Sequence, residues 1–263
     1  MAEKTDLAPG GAELPEMVRK IRARTPARLL VGRAGAAYRT NTQMELREAH
    51  AAARDAVRAE LNVEEVFGSD VVGRWGWFEV RTAAKSKEEY LLRPDLGRKF
   101  DDESRATLKS RGSEGNDLQI AIGDGLSVPA VTAQIPALLP LLCEGAKERG
   151  WTLGQTFVIH GCRVGILNEI GELLKPRIAV LLIGERPGLA TAESLSAYMA
   201  YKPCAGRTDA DRNLVSNVHA RGLRPREAAD RILALAARMM SAKTSGYLLK
   251  EGTLAVEDRA GDR

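Results

Sequence analysis

Residues 178–184 read IAVLLIG and run without a break into Glu185, Arg186, Pro187, Gly188 and Leu189. A short, unbroken apolar run of this kind predicts a β-strand buried on both faces, the signature of a parallel sheet covered by helices. Pro187 and Gly188 end the strand and force a turn. Open α/β sheets keep their ligands in the crevice beyond the carboxyl ends of their strands. Glu185 and Arg186 stand at that place. Spacing alone leaves two readings open for them, a ligand-facing pair or a solvated strand end.

Working outward, Leu118–Ile122 and Phe157–His160 are two further short aliphatic strands. A long apolar helix is predicted from Ser127 to about Glu148, one or two helical turns over Asn168–Leu174, and a late helix over Pro225–Ala242. Strands alternating with helices imply βαβ units and a parallel sheet. Right-handed crossovers then bring the three strand ends to one rim. Pro129 suits a first helical turn, whereas Pro136 and Pro140 predict a kink or two shorter helices.

Ahead of this block the character is different. Residues 1–11 form a polar tail bearing Gly and Pro. Residues 13–24 form a short helix whose Met17 and Ile21 share one face among Arg19, Lys20 and Arg22, either a solvated basic surface or a docking element. After Leu29–Val31 and the GRAG of Gly32–Gly35, residues 42–61 make an alanine-rich helix with Thr40 or Thr42 as cap. Val71–Val80, with Trp75 and Trp77 two apart, reads as a strand or extended cover. Residues 86–90 and 101–110 read as short helices. The polar RGSEGN of Arg111–Asn116 marks a boundary. The expectation is therefore an α/β chain: a segment over 1–27, a mainly helical region over 28–115, and a Rossmann-like parallel-sheet domain over 116–263.

Composition excludes several classes. In 263 residues, 44% are hydrophobic and 28% charged, with a net charge of +4, ordinary values for a chain with a substantial core. The small, dispersed excess of charge, with no aromatic-rich basic ladder, gives no support to nucleic-acid binding. Cys143, Cys162 and Cys204 form no CxxC pair and no zinc spacing, which suits reduced cytosolic thiols. The amino-terminal residues lack the apolar stretch of a signal peptide, and the longest aliphatic runs read as too short to cross a bilayer. The expected location is cytoplasmic.

At the strand ends, Gly123-Asp124-Gly125-Leu126-Ser127 starts a dinucleotide fingerprint, but Val128 occupies the third glycine position. Ser127 is a natural helix cap, and Asp124 either touches a ligand or fixes the turn. His160 and Cys162 alternate beyond the second strand, yet neither a nucleophile elbow nor a helix-start cysteine supports covalent catalysis. With Arg163, Glu185, Arg186, Arg212, Ser216 and Asn217, the rim suits a bulky polar ligand or a partner surface. It contains no metal cluster, carboxylate pair or triad. A stand-alone nucleotide- or phosphate-binding domain is one reading of these residues, and a purely structural assembly subunit is another.

Several segments occur in a fixed order: GRAG (32–35), RPDLGR (93–98), DLQI and DGLS (117–120, 124–127), NEIGELL (168–174), LLIGERPGL (181–189) and DRNLVSN (211–217). In this the chain resembles the small (light) subunit of ethanolamine ammonia-lyase, from about Arg28 to Lys250. The first residues do not match the longer amino-terminal extension of some relatives. The resemblance implies an adenosylcobalamin-dependent lyase that converts ethanolamine to acetaldehyde and ammonia. Its large subunit, a TIM barrel, carries the substrate and the radical chemistry, and the small subunit forms the other wall of the cobalamin site in a hetero-oligomer. It implies no catalytic residue and no metal ligand in this chain, and it leaves encapsulation in a bacterial microcompartment open. The family's cofactor-contacting positions fall on Val164, Glu185 and Leu214. Leu214 stands where many relatives carry cysteine, and Cys162 interrupts the usual glycine-arginine pair before Val164. Val164 and Leu214 suit packing against a corrin edge or tail, and Glu185 suits hydrogen bonds from amides or a ribose.

Overall fold

The computed structural model describes residues 15–24, 29–31, 33–188 and 190–249. The expected amino-terminal tail, Gly32 and Leu189 lie outside them. In chain order the elements are α1 (Glu16–Ala23), the two-residue strands β1 (Arg33–Ala34) and β2 (Ala37–Tyr38), α2 (Thr40–Arg58), α3 (Val63–Phe67), α4 (Ser69–Trp75), β3 (Phe78–Arg81), α5 (Lys87–Leu92), α6 (Asp102–Arg111), β4 (Leu118–Gly123), α7 (Val128–Glu148), β5 (Phe157–His160), α8 (Leu167–Leu174), β6 (Ile178–Gly184), β7 (Leu195–Tyr201), β8 (Asn213–Val218) and α9 (Pro225–Ala242).

The centre of the molecule is a six-stranded sheet in the order β3-β5-β4-β6-β7-β8. The first four strands are parallel; β7 runs against β6, and β8 against β7. All six residues of β4 and all seven of β6 are buried, as unbroken apolar runs require. On one face Leu118, Ile120, Ile122, Val180 and Leu182 pack against α7 and α9. On the other, Phe157, Ile159, Ala179, Leu181 and Ile183 pack against Leu108 of α6 and Leu167, Ile170 and Leu174 of α8. The fold is thus α/β, with a mostly parallel sheet between two helical layers.

Several local expectations are corrected. Val71–Val80 is not a strand: α4 ends at Trp75, Gly76 turns in the left-handed region (φ 62°), and only Phe78–Arg81 is extended. The two-residue spacing of Trp75 and Trp77 straddles a helix end, and the buried Trp77 ring meets Phe67 edge-on at 5.0 Å. This β3 pairs with β5 and becomes an edge of the main sheet. Neither Thr40 nor Thr42 caps α2, which begins after Arg39 with no side-chain cap.

Helix α7 is continuous through Pro136 and Pro140. Both prolines and Thr132 lie on its exposed stripe, so the carbonyls released at residues 132 and 136 face water instead of core. At 21 residues this helix is, contrary to the sequence estimate, long and apolar enough by composition to cross a membrane. Here eleven of its residues are buried, several of them packed on the sheet. Finally, β7 and β8 were not anticipated. Neither strand has a clear sequence signal, because β7 mixes small and polar side chains and β8 is a half-exposed edge.

Caps elsewhere follow side-chain chemistry. Ser86, Asp101 and Ser127 accept the backbone N–H three residues on, at the starts of α5, α6 and α7.

Candidate functional site

Strands β4, β5 and β6 end on one rim. The loops that leave them are bound closely to one another. Gly125 has φ 58°, and a Cβ there would lie 2.3 Å from the carbonyl oxygen of Gly184. The Leu126 amide donates to that same oxygen at 3.0 Å. Ser127 caps α7 while its hydroxyl donates to the Ala192 carbonyl. The glycines of this turn therefore serve backbone packing. Two of its amides, those of Asp124 and Leu126, are engaged by the protein's own carbonyls.

Asp124 resolves to the turn-fixing reading. Buried, it accepts the amides of Gly161 at 3.0 Å and Cys162 at 2.9 Å and so clamps the loop after β5. Cys162 is fully buried, and burial pushes its thiol well above the ordinary range, with Asp124 adding to the effect. Such a thiol is a poor nucleophile. His160 is tied to Glu79 at 2.6 Å on the neighbouring strand.

Beyond this clamp lies a cavity of about 370 Å³, lined by Tyr90, Leu126, Arg163, Val164, Glu185 and Tyr198 among others. Tyr90 is buried and donates to the Cys162 carbonyl at 2.9 Å; its phenol is held protonated chiefly by burial and then by Asp124. The Arg163 guanidinium lies 4.3 Å from the Tyr90 ring centre and donates to the Tyr90 carbonyl, while its Nε is buried with no acceptor. Val164 opens the 3-10 turn that leads into α8 and packs, half-buried, on the sheet.

Glu185 follows β6. One of its carboxylate oxygens accepts from the Ser196 hydroxyl and the other from the Ser194 hydroxyl at 3.0 Å. A carboxylate offers about four acceptor positions, so two hydroxyls orient it and leave capacity for a ligand. Tyr198, on the same strand as Ser196, has its pKa raised by burial first and by Glu185 second, which keeps its hydroxyl a donor.

Val164 and Glu185 thus line one cavity. Leu214 does not line it. It lies on β8 directly opposite Tyr198, which does, so both side chains leave the same face of the sheet; Leu214 is 45% exposed. Arg163, Glu185 and Arg186 all stand at the rim. Arg212 does not. It precedes Asn213 at the far end of β8, because that strand approaches the rim only at Val218. Tyr90, Ser194 and Ser196 were missed. Their roles depend on pairings with residues 162 and 185, and only a strand assignment for β7 would have placed the two serines beside Glu185. No cluster of His, Cys, Asp and Glu suited to a metal ion occurs among the described residues.

Chemically, the cavity offers an oriented carboxylate, a free guanidinium donor, a protonated phenol and an apolar wall. That set suits a polar ligand held by dispersed hydrogen bonds.

Residues 15–250 match the family described as "Ethanolamine ammonia-lyase light chain (EutC)". An "Ethanolamine ammonia-lyase small subunit" from Rhodopseudomonas palustris is 42% identical over 237 residues, covering 90% of this chain and 91% of the relative. One from Fusobacterium nucleatum is 41% identical over 231 residues, covering 88% and 76%. A third, from Clostridium acetobutylicum, is 38% identical over 235 residues, covering 89% and 95%.

Proposed function

The chain belongs to the ethanolamine ammonia-lyase light-chain family, and from that premise we propose that it forms, with a large subunit, one wall of an adenosylcobalamin site at the strand-end rim. The observation that carries this reading is the cavity in which Val164, Glu185, Arg163 and Tyr198 meet. Its donor set suits the group. Corrin side arms are amides, each both donor and acceptor. They match a carboxylate with spare acceptor capacity and a buried guanidinium Nε that has no partner. When bound, the cofactor supplies the radical chemistry that deaminates ethanolamine.

The role of this chain's residues is to bind, orient and exclude water. Ser194 and Ser196 fix Glu185 before the ligand arrives, which lowers the entropy cost of binding. Val164 and the aromatic face of Tyr198 cover apolar edges, and Leu214 extends that wall along β8. Substrate chemistry belongs to the large subunit. The test is reconstitution. The full chain mixed with large subunit should form a hetero-oligomer and restore cobalamin-dependent ammonia release from ethanolamine. Failure of both would overturn the proposal.

A further inference from the structure

Three of the segments that set this sequence apart meet away from the rim cavity. RPDLGR ends in Arg98, NEIGELL carries Asn168, Glu169 and Glu172 on α8, and DRNLVSN carries Arg212. All of them line a second cleft of about 570 Å³, between the flank of α8 and the β7–β8 connection. Nothing in the proposed function uses it.

The five cations of this cleft are matched in number by five carboxylates, Asp102, Glu169, Glu172, Asp209 and Asp211, but they are not all paired with them. Arg105 is neutralised by Glu169 at 2.6 Å and Asp102 at 2.8 Å, and Arg207 by Asp211 at 3.2 Å. Glu169 also accepts the Phe100 amide at 2.6 Å, and Glu172 accepts the Ala205 amide at 3.0 Å. Arg212, its side chain only 4% exposed, pairs with Asp209 and donates to Asn168 Oδ1 at 2.9 Å, yet its Nε is buried with no acceptor. Arg98 and Lys99 have no carboxylate partner among the described residues. Arg98 lies flat over Gly165, where a Cβ would come within 2.8 Å of its Cγ. Its charge adds to burial in disfavouring the Arg212 cation. Two guanidinium groups that oppose each other are thus held in one cleft with a neighbouring lysine and an orphaned donor.

We propose that this cleft is a phosphate-binding site, in which Arg98, Lys99 and the Nε of Arg212 share the oxygens of one phosphoryl group. A bound anion removes the repulsion between the two arginines and satisfies the buried N–H. A tetrahedral oxyanion suits donors arriving from separate segments better than a planar carboxylate does. The cleft is larger than a phosphate ion and so takes a phosphate ester with part of its alcohol. The phosphoryl group has two sources: a free phosphorylated compound, or the phosphodiester in the nucleotide tail of a corrinoid. The second source rests on the cobalamin reading above; the site itself does not.

The first experiment titrates the full chain with inorganic phosphate by calorimetry. Saturable binding is expected. Arg98→Ala combined with Lys99→Ala should weaken it at least tenfold, the loss of a charge-assisted hydrogen bond, while Arg98→Lys retains most of it. Arg54→Ala, which removes one exposed charge on α2, should leave it unchanged. No saturable binding, or an equal loss in Arg54→Ala, overturns the site. The second experiment uses the complex with large subunit and compares cobalamin with cobinamide, which lacks the nucleotide tail. If the double variant loses cobalamin affinity but keeps that of cobinamide, the phosphate is the cofactor's own. If it keeps both after losing inorganic phosphate, the ligand is a separate phosphorylated compound. A wild-type complex that binds neither corrinoid, with phosphate binding intact, refutes the cofactor reading and leaves the phosphate site standing.

Discussion

Gly125→Ala tests the strand-end geometry on which the rim cavity depends. The residue is in the left-handed region at φ 58°, and the added methyl would meet the Gly184 carbonyl oxygen at 2.3 Å and Ile183 Cγ1 at 2.6 Å. Left-handed backbone costs a non-glycine residue roughly 1–2 kcal/mol. Overpacking in a close-packed site costs roughly 1–3 kcal/mol more. The sum, about 2–5 kcal/mol, corresponds to a fall in Tm of about 4–20 °C for a chain of this size. Gly115→Ala is the control. Gly115 has φ 76° with nothing within 4 Å of the added methyl, so it carries the backbone cost alone, about 1–2 kcal/mol. Thermal unfolding followed by circular dichroism compares them. The methyl at 125 also separates the Leu126 amide from Gly184 and shifts the start of the Glu185 segment. If Gly125→Ala were no more destabilising than Gly115→Ala, the close approach of the β4 and β6 loops would be wrong, and with it the shape of the cavity.

Other outcomes follow from single contacts. Tyr90→Phe leaves the Cys162 carbonyl without its donor and should cost about 1–3 kcal/mol in denaturant unfolding; a loss within error would mean that this bond is absent. Cys143 and Cys162 are buried, with the Cys143 thiol pushed up to about 11 by burial, whereas Cys204 is exposed. An aromatic disulfide reagent should therefore titrate one thiol rapidly in the folded chain and all three after denaturation. Asp117 is held below the usual carboxylate range, first by the Thr152 amide and then by Arg177. Its contribution is complete above the unfolded-state value of about 3.9 and is lost as pH falls through the lower folded value. Asp117→Asn should lower Tm at neutral pH and flatten its fall below pH 4; an acid limb as steep as the parent's would refute that assignment.

The buried half of this fold is legible in the sequence. β4, β5 and β6 announce themselves as apolar runs, α7 as a long apolar stretch behind the Ser127 cap, and α9 as a late helical stretch over Pro225–Ala242. Glu185 was visible because a charge directly after a buried strand has few places to go. The antiparallel extension was not. LSAYMAY and NLVSNV combine small, polar and half-exposed residues, and their pairing is set by strands far away in sequence. Missing β7 concealed the serines that orient Glu185. Missing the direction of β8 put Arg212 at the wrong end of its strand. Asp124 looked equally suited to ligand and turn, and only the position of the Gly161 and Cys162 amides decides between them.

The central claim is that Glu185 contacts the cofactor in the assembled enzyme. Its most direct test is the equilibrium affinity of the large-subunit complex for adenosylcobalamin, measured with the parent chain and with Glu185→Ala. Loss of hydrogen bonds to a charged acceptor predicts affinity weaker by roughly 10–150-fold, with assembly intact. Full affinity in the Glu185→Ala complex would contradict the account.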